Sequence, residues 1–233
     1  MLEVSNLSVT SDGKVIARDV SFTVAPGEVT ALLGPNGAGK SEIVLTIAGM
    51  QAPISGTVRA DGIQLTAQNP SFVRKSGVAV VPEGHVVLTE LSVVHNLQAA
   101  GSLRPDELKS CVDDVFDVFP ELAERKSQLA GSLSGGQQQM LAIGHALVAR
   151  PKYLIIDEMS LGLAPLIVKR LINVVVELKK KGVGVVLIEQ FAELALSIAE
   201  NALVLRNGEV RFSGAAEKLL QDPKLLNAAY FGQ

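Results

Sequence analysis

Eight residues, Gly34-Pro35-Asn36-Gly37-Ala38-Gly39-Lys40-Ser41, constrain this chain more than any other stretch. They fit G-x-x-x-x-G-K-[ST], and they fall between an apolar strand pattern at Glu28 to Leu33 and a helical pattern at Lys40 to Ala48. Glycines let such a turn wrap closely, so that successive backbone N–H groups and the helix N-terminus face an anion. Asn36, Gly37, Ala38 and Gly39 are expected to line a phosphate cradle. Lys40 would neutralise the outer phosphates of a nucleotide, and Ser41 would ligate Mg²⁺. The requirement for a strand leading directly into a helix favours an α/β fold.

Two further segments carry chemistry. Tyr153-Leu154-Ile155-Ile156 reads as an apolar strand that ends in Asp157-Glu158. Two carboxylates at a strand end can hold a metal and polarise a water beside it, so Asp157 is expected to organise Mg²⁺ and Glu158 to act as general base. Leu133-Ser134-Gly135-Gly136-Gln137 opens the helix containing Met140, Leu141 and Ile143, and makes a second anion-binding helix end. One phosphate loop already serves a nucleotide within this chain. A second anion site is therefore more useful to a nucleotide held by another copy.

The remaining pattern gives a mixed sheet. The strand signals are an alternating first strand (Leu2, Val4, Leu7, Val9), a second at Val20 to Val24, a hairpin about Asp61-Gly62 and a buried strand at Val78 to Val81. From Glu83 to Arg150 the reading is mostly helical. Ser92 caps Val93 to Ala100, Pro105 opens a helix, and Ser134 caps a stretch down to Ala149. The core resumes after Pro151 with helix Leu166 to Lys181, strand Val183 to Ile188, a hairpin at Asn207-Gly208 and a helical tail from Ala215. The 233 residues, 48% of them hydrophobic, can bury one large core, and no apolar run approaches the roughly 18 residues of a membrane span. No secretory signal is visible, so a cytoplasmic address is expected. Cys111 is the single cysteine, which excludes an intrachain disulfide and suits a buried apolar role. A net charge of −3 with scattered basic residues argues against nucleic acid as a partner.

In their order, these segments resemble the nucleotide-binding subunit of ATP-binding-cassette transporters: a phosphate loop, a helical lobe opening with Leu-Ser-Gly-Gly-Gln, then an Asp-Glu strand. Within that superfamily the chain is similar to the branched-chain amino acid class. The similarity is carried by Val81-Pro82-Glu83-Gly84, Gln138 to Gly144, Ser160-Leu161-Gly162-Leu163-Ala164-Pro165, Glu189-Gln190 and the tail Ala229-Tyr230-Phe231-Gly232. The resemblance implies a P-loop NTPase cassette with a mixed-sheet core, an antiparallel β subdomain and a helical lobe. It implies one cassette domain over 1–233, with core and β subdomain in 1–82 and 151–233 and the lobe in 83–150. ATP and Mg²⁺ would be the ligands. A second ATP-binding subunit, identical or unlike, would be one partner, with transmembrane permease subunits and, indirectly, a substrate-binding protein as others. The address would be peripheral, on the cytoplasmic face of the membrane, and the direction import. Glu83 would take the place of a loop glutamine that senses Mg²⁺ and the γ-phosphate, and Gln190 the place of a switch histidine. Glu83 accepts hydrogen bonds but cannot donate when ionised, whereas Gln190 donates without charge. Glu83 through about Leu103 is the candidate contact for a membrane-partner helix.

Several positions depart from that pattern. No aromatic ring is present in Ser11 to Val15 to stack on adenine, which leaves Val15 as the apolar contact. Glu42 places a carboxylate after Ser41. It either stands near the α-phosphate or is an ordinary acid in a helix first turn, where the dipole favours it. Met159 replaces a proline and is expected to leave the backbone less constrained, while His145 replaces an arginine. His145, His85 and His95 are read as structural, and none has metal-ligand spacing. Glu42, Met159 and the missing aromatic keep one rival open, an ATP-gated cassette that hydrolyses little; a cassette ATPase serving cofactor assembly is a second.

Overall fold

The computed structural model describes residues 1–101 and 105–232. Two long strands, β1 (Leu2–Ser11) and β2 (Lys14–Val24), meet at Asp12-Gly13, where both residues take positive φ as a tight hairpin requires. β3 (Val29–Leu33) is buried throughout and runs through the glycine loop into α1 (Lys40–Ile47). β4 (Ser55–Ala60) and β5 (Ile63–Gln64) pair about Asp61-Gly62. α2 (Pro70–Lys75) follows, with the Asn69 side chain accepting from the Phe72 N–H and Pro70 at its first position. After β6 (Val78–Val81), α3 (Val93–Ala100) starts at Ser92, whose hydroxyl accepts from the His95 N–H at 3.3 Å. A 3₁₀ turn at Pro105–Glu107 leads into α4 (Leu108–Val118), α5 (Pro120–Ala123) and α6 (Gly135–Leu147). The chain then alternates through β7 (Tyr153–Asp157), α7 (Pro165–Lys180), β8 (Gly184–Glu189) and α8 (Ala192–Leu196). It closes with β9 (Asn201–Arg206), β10 (Glu209–Ala215), α9 (Ala216–Gln221) and α10 (Pro223–Phe231).

The strands form two sheets. One is antiparallel, in the order β2-β1-β4-β5; the other runs β10-β9-β3-β8-β7-β6, parallel except for the β9–β10 hairpin. Alternation along the central strands sends side chains to opposite layers. Ala31, Leu33, Val185, Leu187, Leu154 and Ile156 join the apolar interior shared with α3, α4, α6 and α7. Leu32, Val186, Ile188, Ile155 and Leu203 join the layer formed with the antiparallel sheet and α1. Burial on both faces explains why these strands read as unbroken apolar runs.

Most expected elements stand where the pattern put them, with some differences. Neither α2 nor α8 was foreseen. Pro105 opens the 3₁₀ turn, and the regular helix begins three residues later, at Leu108. His85 is not helical but lies in a loop with φ of 53°. Leu103, the far end of the segment expected to meet a membrane partner, lies outside the described residues.

Candidate functional site

The parallel strands bring every expected catalytic residue of this chain to one edge. Leu33 lies opposite Glu189, Asp157 opposite Ile188 and Val81 opposite Ile156, so the loops carrying Gly34, Gln190, Glu158 and Glu83 all leave the sheet at its carboxyl end. A crevice at that edge is where open α/β sheets bind ligands. The loop at Gly34 admits only glycine: φ is 153°, and a Cβ there would sit 2.2 Å from the Leu205 carbonyl oxygen. At Gly39, the N-cap of α1, φ is 101° and a Cβ would meet that of Ala17 at 2.9 Å. Gly37 has φ of 76°, but open space lies before it. The loop is therefore pinned at both ends and free in the middle, as a phosphate cradle requires. Lys40 is 5% exposed, and its ammonium donates to the Gly34 and Pro35 carbonyls at 2.8 and 3.1 Å. Burial lowers its pKa, against the pull of the Glu158, Asp157, Glu83 and Glu42 carboxylates around it.

Asp157 is 4% exposed, and its Oδ1 has no hydrogen-bond partner. Burial, with the charges of Glu158 and Glu83, pushes its carboxyl up to about 6, while hydrogen bonding to Ser41 and the charge of Lys40 pull it down. An orphaned buried carboxylate oxygen beside a hydroxyl is a fit for a hard cation that prefers oxygen ligands. Ser41, Glu83 and Asp157 line one cleft together with Val44, Leu45 and Pro82. No cluster of three or more His, Cys, Asp or Glu suited to a metal is found among the described residues. A cation here would rely on nucleotide oxygens and water beyond Ser41 and Asp157, as Mg²⁺ commonly does. Glu158 is held in left-handed backbone with φ of 48°, its N–H donating to the Ile188 carbonyl at 3.0 Å. Glu42 is half-buried in the first turn of α1.

Ser134 to Gln137 form a closed capping box. The Gln137 N–H donates to Ser134 Oγ at 3.4 Å, and the Ser134 N–H donates to Gln137 Oε1 at 3.0 Å. This helix end packs beside the start of α7, where a Cβ on Gly136 would strike Ile167 at 2.8 Å. Among the described residues, no hydrogen bond from this helix end reaches the phosphate loop. Val15 is 42% exposed on β2, two residues before Ala17, which flanks Gly39.

The expectation of a loosened backbone at Met159 is overturned. Met159 is fully buried, and the next residue, Ser160, is tied to Glu189. Three contacts at this edge escaped the sequence reading. Ser160 donates twice to Glu189, the Tyr230 hydroxyl donates to the Gln190 carbonyl at 2.9 Å, and His85 Nδ1 meets Oε1 of the buried Gln139 at 2.6 Å. The last pair joins the loop of Glu83 to the helix opened by Ser134.

A glycine loop between a central strand and a helix, beside a strand ending in a metal-fit aspartate and a glutamate, defines the class as a P-loop nucleotide-binding cassette. The family described as "ABC transporter" matches residues 17–160, and the chain belongs to that family. It is 42% identical, over the whole of both chains, to a high-affinity branched-chain amino acid transport ATP-binding protein, BraG, of Pseudomonas aeruginosa. It is 36% identical, over 88% of each chain, to a probable branched-chain amino acid transport ATP-binding protein, LivF, of Archaeoglobus fulgidus. A solved ATP-binding subunit of an ABC transporter superposes with a TM-score of 0.85 at 31% identity, covering 100% of this chain and 98% of the other.

Proposed function

We propose that this chain hydrolyses ATP to drive import of branched-chain amino acids or related small polar solutes, as a peripheral subunit on the cytoplasmic face of the membrane. The observation that carries this reading is the convergence of Lys40, Ser41, Asp157 and Glu158 at one sheet edge, with an Asp157 oxygen left unpaired. The likeness to BraG and LivF supports the substrate class. No helix among the described residues is long and apolar enough to cross a membrane, and transmembrane permease subunits are the membrane partners in this reading.

The residues divide the work as follows. Asn36, Gly37, Ala38 and Gly39 wrap the phosphates with backbone N–H groups, and Lys40 exchanges loop carbonyls for phosphate oxygens. Ser41 and Asp157 would hold Mg²⁺, with Glu83 beside them, and a bound ion would supply neutralisation of phosphate charge. Glu158 accepts a proton from the attacking water, Gln190 donates to the γ-phosphate, and Val15 covers the base. Ser134, Gly135, Gly136 and Gln137 complete the nucleotide site of a second subunit, identical or unlike, so that closure surrounds the phosphates with fixed donors and excludes water. The core and β subdomain occupy 1–82 and 151–233 and the lobe 83–150. The exposed Val86, Leu88 and Leu91 after Glu83 face a permease helix, and a substrate-binding protein acts through that permease.

Glu158→Gln tests the reading: turnover should fall roughly 10²- to 10⁴-fold while ATP binding is kept. Near-normal turnover in the variant would remove Glu158 from the role. A wild type that binds but never turns over, even with its partner, would make the chain an ATP-gated module. Association with a soluble assembly complex in place of a permease would favour the cofactor-assembly rival.

A further inference from the structure

Glu189 ends β8 with 1% of its surface exposed, and among the described residues no ion pair reaches it. Both of its oxygens accept from Ser160, and the Met159 backbone also bonds to the carboxylate. The Ser160 N–H donates to Oε1 at 3.1 Å and the Ser160 hydroxyl to Oε2 at 2.6 Å. Burying a carboxylate without a cationic partner is costly even when it is hydrogen-bonded, and Val185 to Ile188 just before it show that this strand accepts apolar side chains. Packing alone therefore gives no reason for an acid here.

The reason lies on either side of the bond. Ser160 stands two residues after Glu158, and Gln190 directly follows Glu189. Glu158 holds a left-handed backbone that a glutamate does not favour, and such strain persists only where neighbours over-determine it. Two anchors do so, and both come from the end of β8. The Ile188 carbonyl accepts the Glu158 N–H, and the Glu189 carboxylate accepts twice from Ser160.

We propose that Glu189 is a positioning residue for ATP hydrolysis. It clamps the Glu158-Met159-Ser160 turn to the strand end that carries Gln190, so that the base and the γ-phosphate donor keep one spacing. This rests on the roles given above to Glu158 and Gln190.

The test compares the full-length wild type, Glu189→Gln, Ser160→Ala and the double variant, each assembled with its partner subunits. Glu189→Gln keeps the shape and one acceptor, and thermal unfolding identifies any variant that fails to fold. Steady-state ATP hydrolysis should show kcat reduced roughly 10- to 100-fold in each single variant, as expected for a slightly misplaced catalytic group, with KM and metal-free ATP binding within twofold of wild type. The double variant should be no slower than the worse single one. Amide hydrogen exchange should quicken at least tenfold over 158–163 and leave 34–41 unchanged. Unaltered exchange in 158–163, single-variant kcat within twofold of wild type, or losses that multiply in the double variant would each overturn the clamp. A wild type without turnover would instead refute the ATPase reading on which the clamp rests.

Discussion

Replacing Asp157 by asparagine should make the empty protein more stable and the nucleotide-loaded protein less so. At 4% exposure, with Oδ1 unpartnered, the Asp157 carboxyl is pushed from 3.8 up to about 6, chiefly by burial. A raised carboxylate pKa means that the folded chain disfavours the ionised form. The cost is absent below the unfolded value, grows from about pH 4 to 6, and is complete above that. Two units correspond to about 3 kcal/mol at pH 7.5. Asparagine keeps the shape without the charge. For a chain of this size, about 3 kcal/mol is a rise of roughly 5–10 °C in the unfolding midpoint. Thermal unfolding of wild type and Asp157→Asn in EDTA at pH 7.5 and pH 4 measures it: the variant should lead at pH 7.5 and lose its advantage at pH 4. Saturating Mg²⁺ and ATP should then raise the wild-type midpoint and leave the variant nearly unmoved, because ligands stabilise only the state that binds them. A variant no more stable than wild type in EDTA, or one that gains equally from Mg²⁺ and ATP, would refute the account of Asp157 as a carboxylate held ready for a cation.

Other perturbations separate fold from site. Gly34→Ala should destabilise the chain by about 3 kcal/mol or more, because its Cβ meets the Leu205 carbonyl at 2.2 Å. Gly37→Ala, with open space around it, should cost only about 1–2 kcal/mol yet abolish binding of a fluorescent ATP analogue. His145 titrates down at about 4, first through burial and then through the charge of Arg74. A depressed histidine pKa gives stability that is complete above pH 6.5 and lost as pH falls toward 4. His145→Gln should therefore flatten that slope in urea unfolding by about 3 kcal/mol across the window.

The parts legible in the sequence are those in which local chemistry and fold agree. Asp61-Gly62 and Asn207-Gly208 announce hairpins because both residues of each pair accept positive φ, and they do so in the structure. Ser92 and Ser134 announce helix starts because their hydroxyls replace missing backbone acceptors. α2 escaped notice because six residues are too few to show a period, and its cap, Asn69, sits in a polar stretch that also suits a loop. The phosphate loop and the Asp157-Glu158 pair could be read because each is a contiguous string with a chemical purpose. Ser160 with Glu189, Tyr230 with Gln190 and His85 with Gln139 could not, because the partners stand 29, 40 and 54 residues apart and meet only through the sheet. Met159 shows the converse error: judged by the proline it lacks, its turn looked loose, yet tertiary anchors fix it.

Strand order explains why these distant contacts gather where they do. β8 lies between β3, which delivers the phosphate loop, and β7, which delivers Asp157 and Glu158. Its last residues reach both neighbours: Glu189 stands level with Leu33 in register, and the Ile188 carbonyl and Glu189 carboxylate hold the turn after β7. Gln190 then leaves the same strand end, its carbonyl held by Tyr230 from α10. A shift of the β8 end alone would move Gln190, the proposed γ-phosphate donor, and the turn of the proposed base Glu158 together while the glycine loop, pinned by Leu205 and Ala17, stayed in place. In the proposed mechanism, binding and hydrolysis therefore depend on different anchors. Variants at the loop should fail to bind, whereas variants at the β8 end should bind and fail to turn over.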